Sequence, residues 1–186
     1  MAVTAAVGDV VEDFELLDET GTPRKLNELL ENGPVVLFFY PAAMTSGCTL
    51  ESCRFRDLSA EFARVKATPV GISRDTVPRQ KRFADTHSLG YPLLSDPDGV
   101  VARSLGARRS YAVGPFLTRR VTFVVDVDRR ILEVIHNEAS MEIHADRSSR
   151  SSAPAPPDPR SLVDLLLPSP RATPRAVSRM CRDGGR

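Results

Sequence analysis

Two apolar runs of strand length, Pro34-Val-Val-Leu-Phe-Phe-Tyr40 and Pro69-Val-Gly-Ile-Ser73, flank a segment whose apolar residues recur at helical spacing. The first run mixes β-branched and aromatic residues and offers no polar position to water. It therefore reads as a central strand buried on both faces, and the second as its counterpart. Between them, Leu50, Cys53, Leu58, Phe62 and Val65 sit at helical intervals among Glu, Arg and Asp, which predicts one helix over 49–65. A strand, a helix and a strand in that order restrict the chain to an α/β architecture.

The flanking segments extend this pattern. Val10 to Leu17 and Arg24 to Leu26 surround Asp18-Glu-Thr-Gly-Thr-Pro23, a turn sequence that predicts an N-terminal β-hairpin. Asn27 to Glu31 is a short helical turn closed by Asn32-Gly33. Val77 to His87 is helical, with Pro78 in its first turn. A short strand is predicted over Tyr91 to Ser95, and a short helix over Val100 to Leu105. Arg120 to Val127 and Ile131 to His136 form a second hairpin around Asp128-Arg-Arg130. The expectation is a central mixed β-sheet flanked by helices, with an N-terminal β-hairpin.

Composition bounds the partners. The chain has 186 residues and a net charge of +1, enough for one domain with a sizeable core and no general attraction to nucleic acid. Its apolar runs fall short of the roughly 20 residues that span a bilayer, and the first residues lack the basic start of a signal peptide. Three cysteines make no disulfide framework, so the cytoplasm is expected. The charge is uneven. Residues 147–186 hold eight Arg and three Asp, or +5, which leaves −4 for the first 146. A helix is predicted over Ser140 to Asp146, after which the chain turns rich in Ser, Pro and Arg. We divide it into a folded domain over 1–147 and a disordered tail over 148–186. Cys181, in that tail, reads as an incidental thiol.

Cys48 and Cys53 carry the chemistry. The apolar strand stops at Pro41, passes through Met44-Thr45-Ser46-Gly47 and enters a helix with Cys48 in its first turn. Unpaired backbone N–H groups and the positive end of the helix dipole favour a thiolate there, and the thiolate is the reactive form. Cys53 lies about one and a half turns further on, within reach of an oxidised Cys48 if the helix loosens. The competing reading is a pair of small buried side chains on the inner helix face.

The stretch Phe39-Tyr40-Pro41-x3-Thr45-x2-Cys48-Thr49-x-Glu51-x-Cys53-x-Phe55-Arg56-Asp57 resembles the peroxiredoxins of the bacterioferritin comigratory protein, or Q-type, branch. Gly8-Asp9, Asp13-Phe14, Pro92-Leu-Leu-Ser-Asp96 and Arg120-Val-Thr-Phe-Val-Val-Asp126 match as well, over about residues 5–147. The resemblance implies a thioredoxin-like fold. It also implies reduction of hydrogen peroxide or organic hydroperoxides at the expense of thioredoxin or a similar thiol donor, by a monomer with no cofactor or metal. By position, Cys48 is the peroxidatic cysteine and Cys53 the resolving one. Thr45 hydrogen-bonds thiolate and peroxide, Pro41 shields the sulfur, and Arg120 holds the thiolate ionised. Glu51 either orients that arginine or simply favours the helix dipole.

One departure stands out, because the family usually reads Thr-Pro-Gly-Cys where this chain has Thr45-Ser46-Gly47-Cys48. Ser46 is then expected as the N-cap, with Cys48 at the second helical position. Two other functions fit the fold less well. A thiol–disulfide oxidoreductase uses Cys-x2-Cys, whereas four residues separate the cysteines here. A copper-binding assembly factor needs a histidine beside its cysteines. His136 and His144 are remote from Cys48 in sequence and in no metal-binding pattern.

Overall fold

The computed structural model describes residues 5–109 and 117–136. The helix expected over 140–146, the tail over 148–186, His144 and Cys181 lie outside the described residues.

Strand β3 (Val35–Phe39) is the centre of the molecule, and all five of its residues are buried. It pairs in parallel with β4 (Thr68–Ser73), Phe39 opposite Ile72, and antiparallel with β6 (Val121–Val125), Phe39 opposite Val121. The N-terminal hairpin is formed by β1 (Glu15–Leu17) and β2 (Pro23–Lys25), shorter than expected, and β7 (Ile131–His136) closes the far edge. With β5 (Leu93–Ser95) the seven strands run in the order β2-β1-β5-β4-β3-β6-β7. The sheet is mixed, as the sequence pattern requires.

Alternation along β3 divides the core into two layers. Val35, Leu37 and Phe39 face α1 (Leu26–Leu30) and α5 (Val100–Ser104), together with Val70, Ile72 and Phe123. Val36, Phe38 and Tyr40 face the opposite layer, with Phe55, Phe62, Phe83 and Leu93. That second layer holds α2 (Ser46–Asp57), α3 (Ser59–Arg64) and α4 (Val77–His87). Phe38 stacks on Phe55 with ring centroids 4.2 Å apart and planes 14° apart, which fastens α2 to the sheet. Gly71 makes room for this layer, since a Cβ there would lie 2.7 Å from Leu93 Cδ2 and 2.9 Å from Phe38 Cζ.

One expectation is corrected. The predicted single helix over 49–65 is two, α2 and α3, separated at Leu58. The Leu58 N–H still bonds the Arg54 carbonyl, and its own carbonyl still accepts from Phe62. The break is thus a bend that leaves Leu58 and Phe62 in the same core. Apolar spacing is unchanged across it, so periodicity cannot register it.

Candidate active site

The register of the central strands assembles the site. Phe39 lies opposite Val121, so Tyr40 and Arg120 continue side by side beyond the strand ends. Pro41 follows Tyr40, and α2 begins five residues later with Ser46. The carboxyl end of β3 and the start of β6 therefore bring residues 41–48 and Arg120 to one edge of the sheet.

Thr45, not Ser46, is the N-cap of α2, with extended backbone at φ −86 and ψ 147. Cys48 is therefore the third helical residue rather than the second, and still lies in the turn whose N–H groups have no partner within the helix. Thr45 is exposed, and its hydroxyl donates to the Ala42 carbonyl at 3.0 Å. A hydroxyl has one hydrogen, so in this state Thr45 supports the loop and donates nothing to the sulfur. Pro41 is half-buried at the start of that loop.

Cys48 is a free thiol with 1% of its surface exposed. Arg120 Nη2 donates to its sulfur at 3.4 Å, and Arg120 Nη1 donates to Glu51 Oε2. Glu51 is fully buried and Arg120 nearly so, whereas the adjacent Arg119 is exposed. Burial pushes the Glu51 carboxyl up to about 7, against the pull of Arg120. Burial presses the Arg120 guanidinium downward, but Glu51 and Cys48 outweigh it and hold the group above its ordinary value. Arg120 is thus a fixed cation, and Glu51 is where the pair can change charge. The helix starts early enough that Glu51 is its sixth residue, outside the first turn, which removes the helix-dipole reading.

Cys53 lies on the same continuous helix and is fully buried. His136 is exposed, and no cluster of metal-ligating side chains occurs among the described residues. His87 ends α4 and is buried against Phe83.

The sequence reading missed a polar layer beneath the loop. Tyr40 donates its hydroxyl to Gln80 Oε1, and Gln80 Nε2 donates to Ser73 Oγ and the Leu94 carbonyl, each at 3.0 Å. Ser73 Oγ donates to Asp75 Oδ2 at 2.7 Å. Tyr91 donates to the Ser52 carbonyl at 2.7 Å, and Arg56 Nη1 to that of His87 at 2.7 Å, both anchoring α2. Only Ser73-Arg74-Asp75, polar residues directly after a buried strand, offered a hint of this layer.

A loop at a strand end, a buried thiol in a first helical turn and a guanidinium on its sulfur define a thiol-redox centre on a thioredoxin-like fold. Residues 7–134 match the AhpC/TSA family, and the chain belongs to that family. The crystal structure of peroxidoxin BcpB from Mycobacterium tuberculosis is 54% identical, with a TM-score of 0.75, over 78% of this chain and 95% of that one. Peroxiredoxin Bcp of Bacillus subtilis is 31% identical over 134 residues, 70% of this chain and 85% of its relative. A PrxQ mutant from Xylella fastidiosa is 25% identical, with a TM-score of 0.72, over 80% of this chain and 95% of that one. The protein is a peroxiredoxin, a thiol peroxidase. No helix among the described residues is long and apolar enough to cross a membrane.

Proposed function

We propose that Cys48 is the sulfur oxidised by peroxide and that Cys53 resolves the product. The Arg120–Cys48 contact of 3.4 Å carries this reading, because it sets a permanent cation against the nucleophile. The Cys48 thiolate attacks the terminal oxygen of hydrogen peroxide or an organic hydroperoxide. The O–O bond breaks, and the leaving oxygen departs as hydroxide or alkoxide and takes up a proton. Arg120 and the first-turn N–H groups of α2 are the donors that meet the developing negative charge. Cys48 is left as a sulfenic acid.

In the reduced protein the Cys53 thiolate then attacks the Cys48 sulfur. A sulfur–sulfur bond forms, and the hydroxyl leaves as water. Thioredoxin or a similar dithiol donor then reduces the Cys48–Cys53 disulfide, returns both cysteines to thiols and is itself left as a disulfide. Pro41 and Thr45 serve as the shield and the shaping residue of the pocket, and Glu51 holds Arg120 in place. The enzyme works as a monomer in the cytoplasm. The test is peroxide consumption with excess thioredoxin and its reductase. Cys48→Ser should abolish turnover and Cys53→Ser should permit one oxidation per chain. Continued turnover by Cys48→Ser would reject the assignment.

A further inference from the structure

The backbone of Ala43 is gripped from both sides by one ion pair. Asp75 Oδ2 accepts the Ala43 N–H at 2.7 Å, and Arg79 Nη2 donates to the Ala43 carbonyl at 3.0 Å. The two side chains are paired with each other, Arg79 Nε to Asp75 Oδ1 at 2.9 Å. Asp75 is itself fixed, since its Oδ2 also accepts from Ser73 Oγ and its carbonyl accepts from Ser95 Oγ, each at 2.7 Å. Ser73 and Ser95 end two strands of the sheet, so the pair carries the rigidity of the sheet into the loop.

The neighbouring residue shows what this grip enforces. Met44 has φ +67, a left-handed conformation that a side-chain-bearing residue adopts only when its surroundings impose it. Met44 is 41% exposed, so its own side chain contributes little to holding that shape. This turn directs the chain into Thr45 and the start of α2. The first residue of α2 is Ser46, whose φ is not fixed by a ring, and Gly47 follows it, which leaves the loop dependent on contacts from outside it.

We propose that Asp75 and Arg79 are positioning residues for peroxide reduction. By holding Ala43 they keep Met44 in its strained turn, and so seat Cys48 against Arg120 with the first-turn N–H groups facing the same space. The inference rests on Cys48 being the attacked sulfur. Neither residue touches the sulfur, so each acts on the geometry of the leaving-oxygen donors.

The experiment uses the full chain, reduced, carrying Cys53→Ser so that only the attack step is read. Two rate constants are measured for Cys48, with the modified residue identified by peptide mass: oxidation by hydrogen peroxide and alkylation by iodoacetamide. Alkylation needs an accessible thiolate but no donors aimed at a leaving oxygen, so the ratio of the two rates isolates positioning. Arg79→Ala removes a half-exposed side chain, so its fold is expected to survive and is checked by circular dichroism, and Asp75→Asn, expected to lower the same ratio, is the companion variant. The expected result is a fall of about tenfold in the peroxide-to-iodoacetamide ratio for Arg79→Ala. A ratio reduced less than threefold would overturn the proposal, whatever the individual rates do. If the parent protein were oxidised at a residue other than Cys48, the assignment of the sulfur would fail instead, and the two failures are told apart by that mass.

Discussion

Arg120 donates to Cys48 Sγ through Nη2 at 3.4 Å and to Glu51 through Nη1, so one buried guanidinium serves a buried thiol and a buried carboxyl together. A hydrogen bond to a charged group contributes about 1.5–3 kcal/mol, equivalent to roughly ten- to hundredfold in rate. Arg120→Met should therefore slow single-turnover oxidation of Cys48 by more than tenfold. Arg120→Lys should recover little, because an ammonium group lacks the planar fork that reaches two partners at once. An unchanged peroxide rate in Arg120→Met would remove the residue from the site.

The continuity of α2 dictates a conformational change. Residues five apart on an intact helix are separated by about 7.5 Å of rise and about 140° of rotation, which places their Cα atoms roughly 8.6 Å apart. A disulfide tolerates only about 7 Å, so Cys48 and Cys53 cannot join on the helix as it stands. Its first turns must open, and Ser46 and Gly47 make them the weakest part. Starting from the fully reduced protein, amide exchange over about residues 46–54 should accelerate on oxidation and stay slow in Cys53→Ser. Equal protection in both states, with a verified Cys48–Cys53 bond, would show that the bond forms without unwinding.

Glu51 gives stability a distinctive pH dependence. Its carboxyl is raised by burial to about 7 in the folded protein, against about 4.3 when unfolded. Between those values the folded state holds the extra proton, so stability from this group falls as pH rises through the window and is level above it. His87 acts in the opposite sense, because burial and Arg56 lower its affinity for a proton and folding is disfavoured as the pH drops below the unfolded value. The difference between wild type and Glu51→Gln isolates the glutamate. In urea titrations Glu51→Gln should gain stability relative to wild type as pH rises from about 4.5 to 7. A difference that is flat across this range would mean that Glu51 stays ionised throughout.

Phe55 ties α2 to the sheet through its stack on Phe38. It is fully buried, so Phe55→Ala should cost about 3–5 kcal/mol of stability, the usual range for deleting a core aromatic. The measurement is chemical unfolding of the reduced protein. A loss below about 1 kcal/mol would show that the layer closes over the gap without relying on the stack.

The architecture was readable because its signals are local. The apolar run at 34–40, the helical spacing after it and the turn residues around each hairpin depend only on near neighbours, and the mixed sheet followed from them. The same holds for Cys48, whose place in a first helical turn is set by the residues immediately before it. Other features were not legible because they depend on separations of many residues. Arg119 and Arg120 are chemically alike in the chain; the family resemblance pointed to Arg120, and the β3–β6 register is what turns it to Cys48 and leaves Arg119 in water. The bend at Leu58 preserves apolar spacing and so left no trace in it. Thr45 rather than Ser46 is the cap, and two adjacent hydroxyl residues offer no local signal that separates them. Nothing local in the chain marks Asp75 and Arg79 as partners of the Ala43 backbone, 32 and 36 residues away. The sequence by itself determined the order and type of most elements and the placing of Cys48 at the start of a helix, since propensity and side-chain period act over a few residues. Only the tertiary structure decided which charges reach that sulfur and what holds its loop, because strand pairing alone brings residues 72 positions apart into contact.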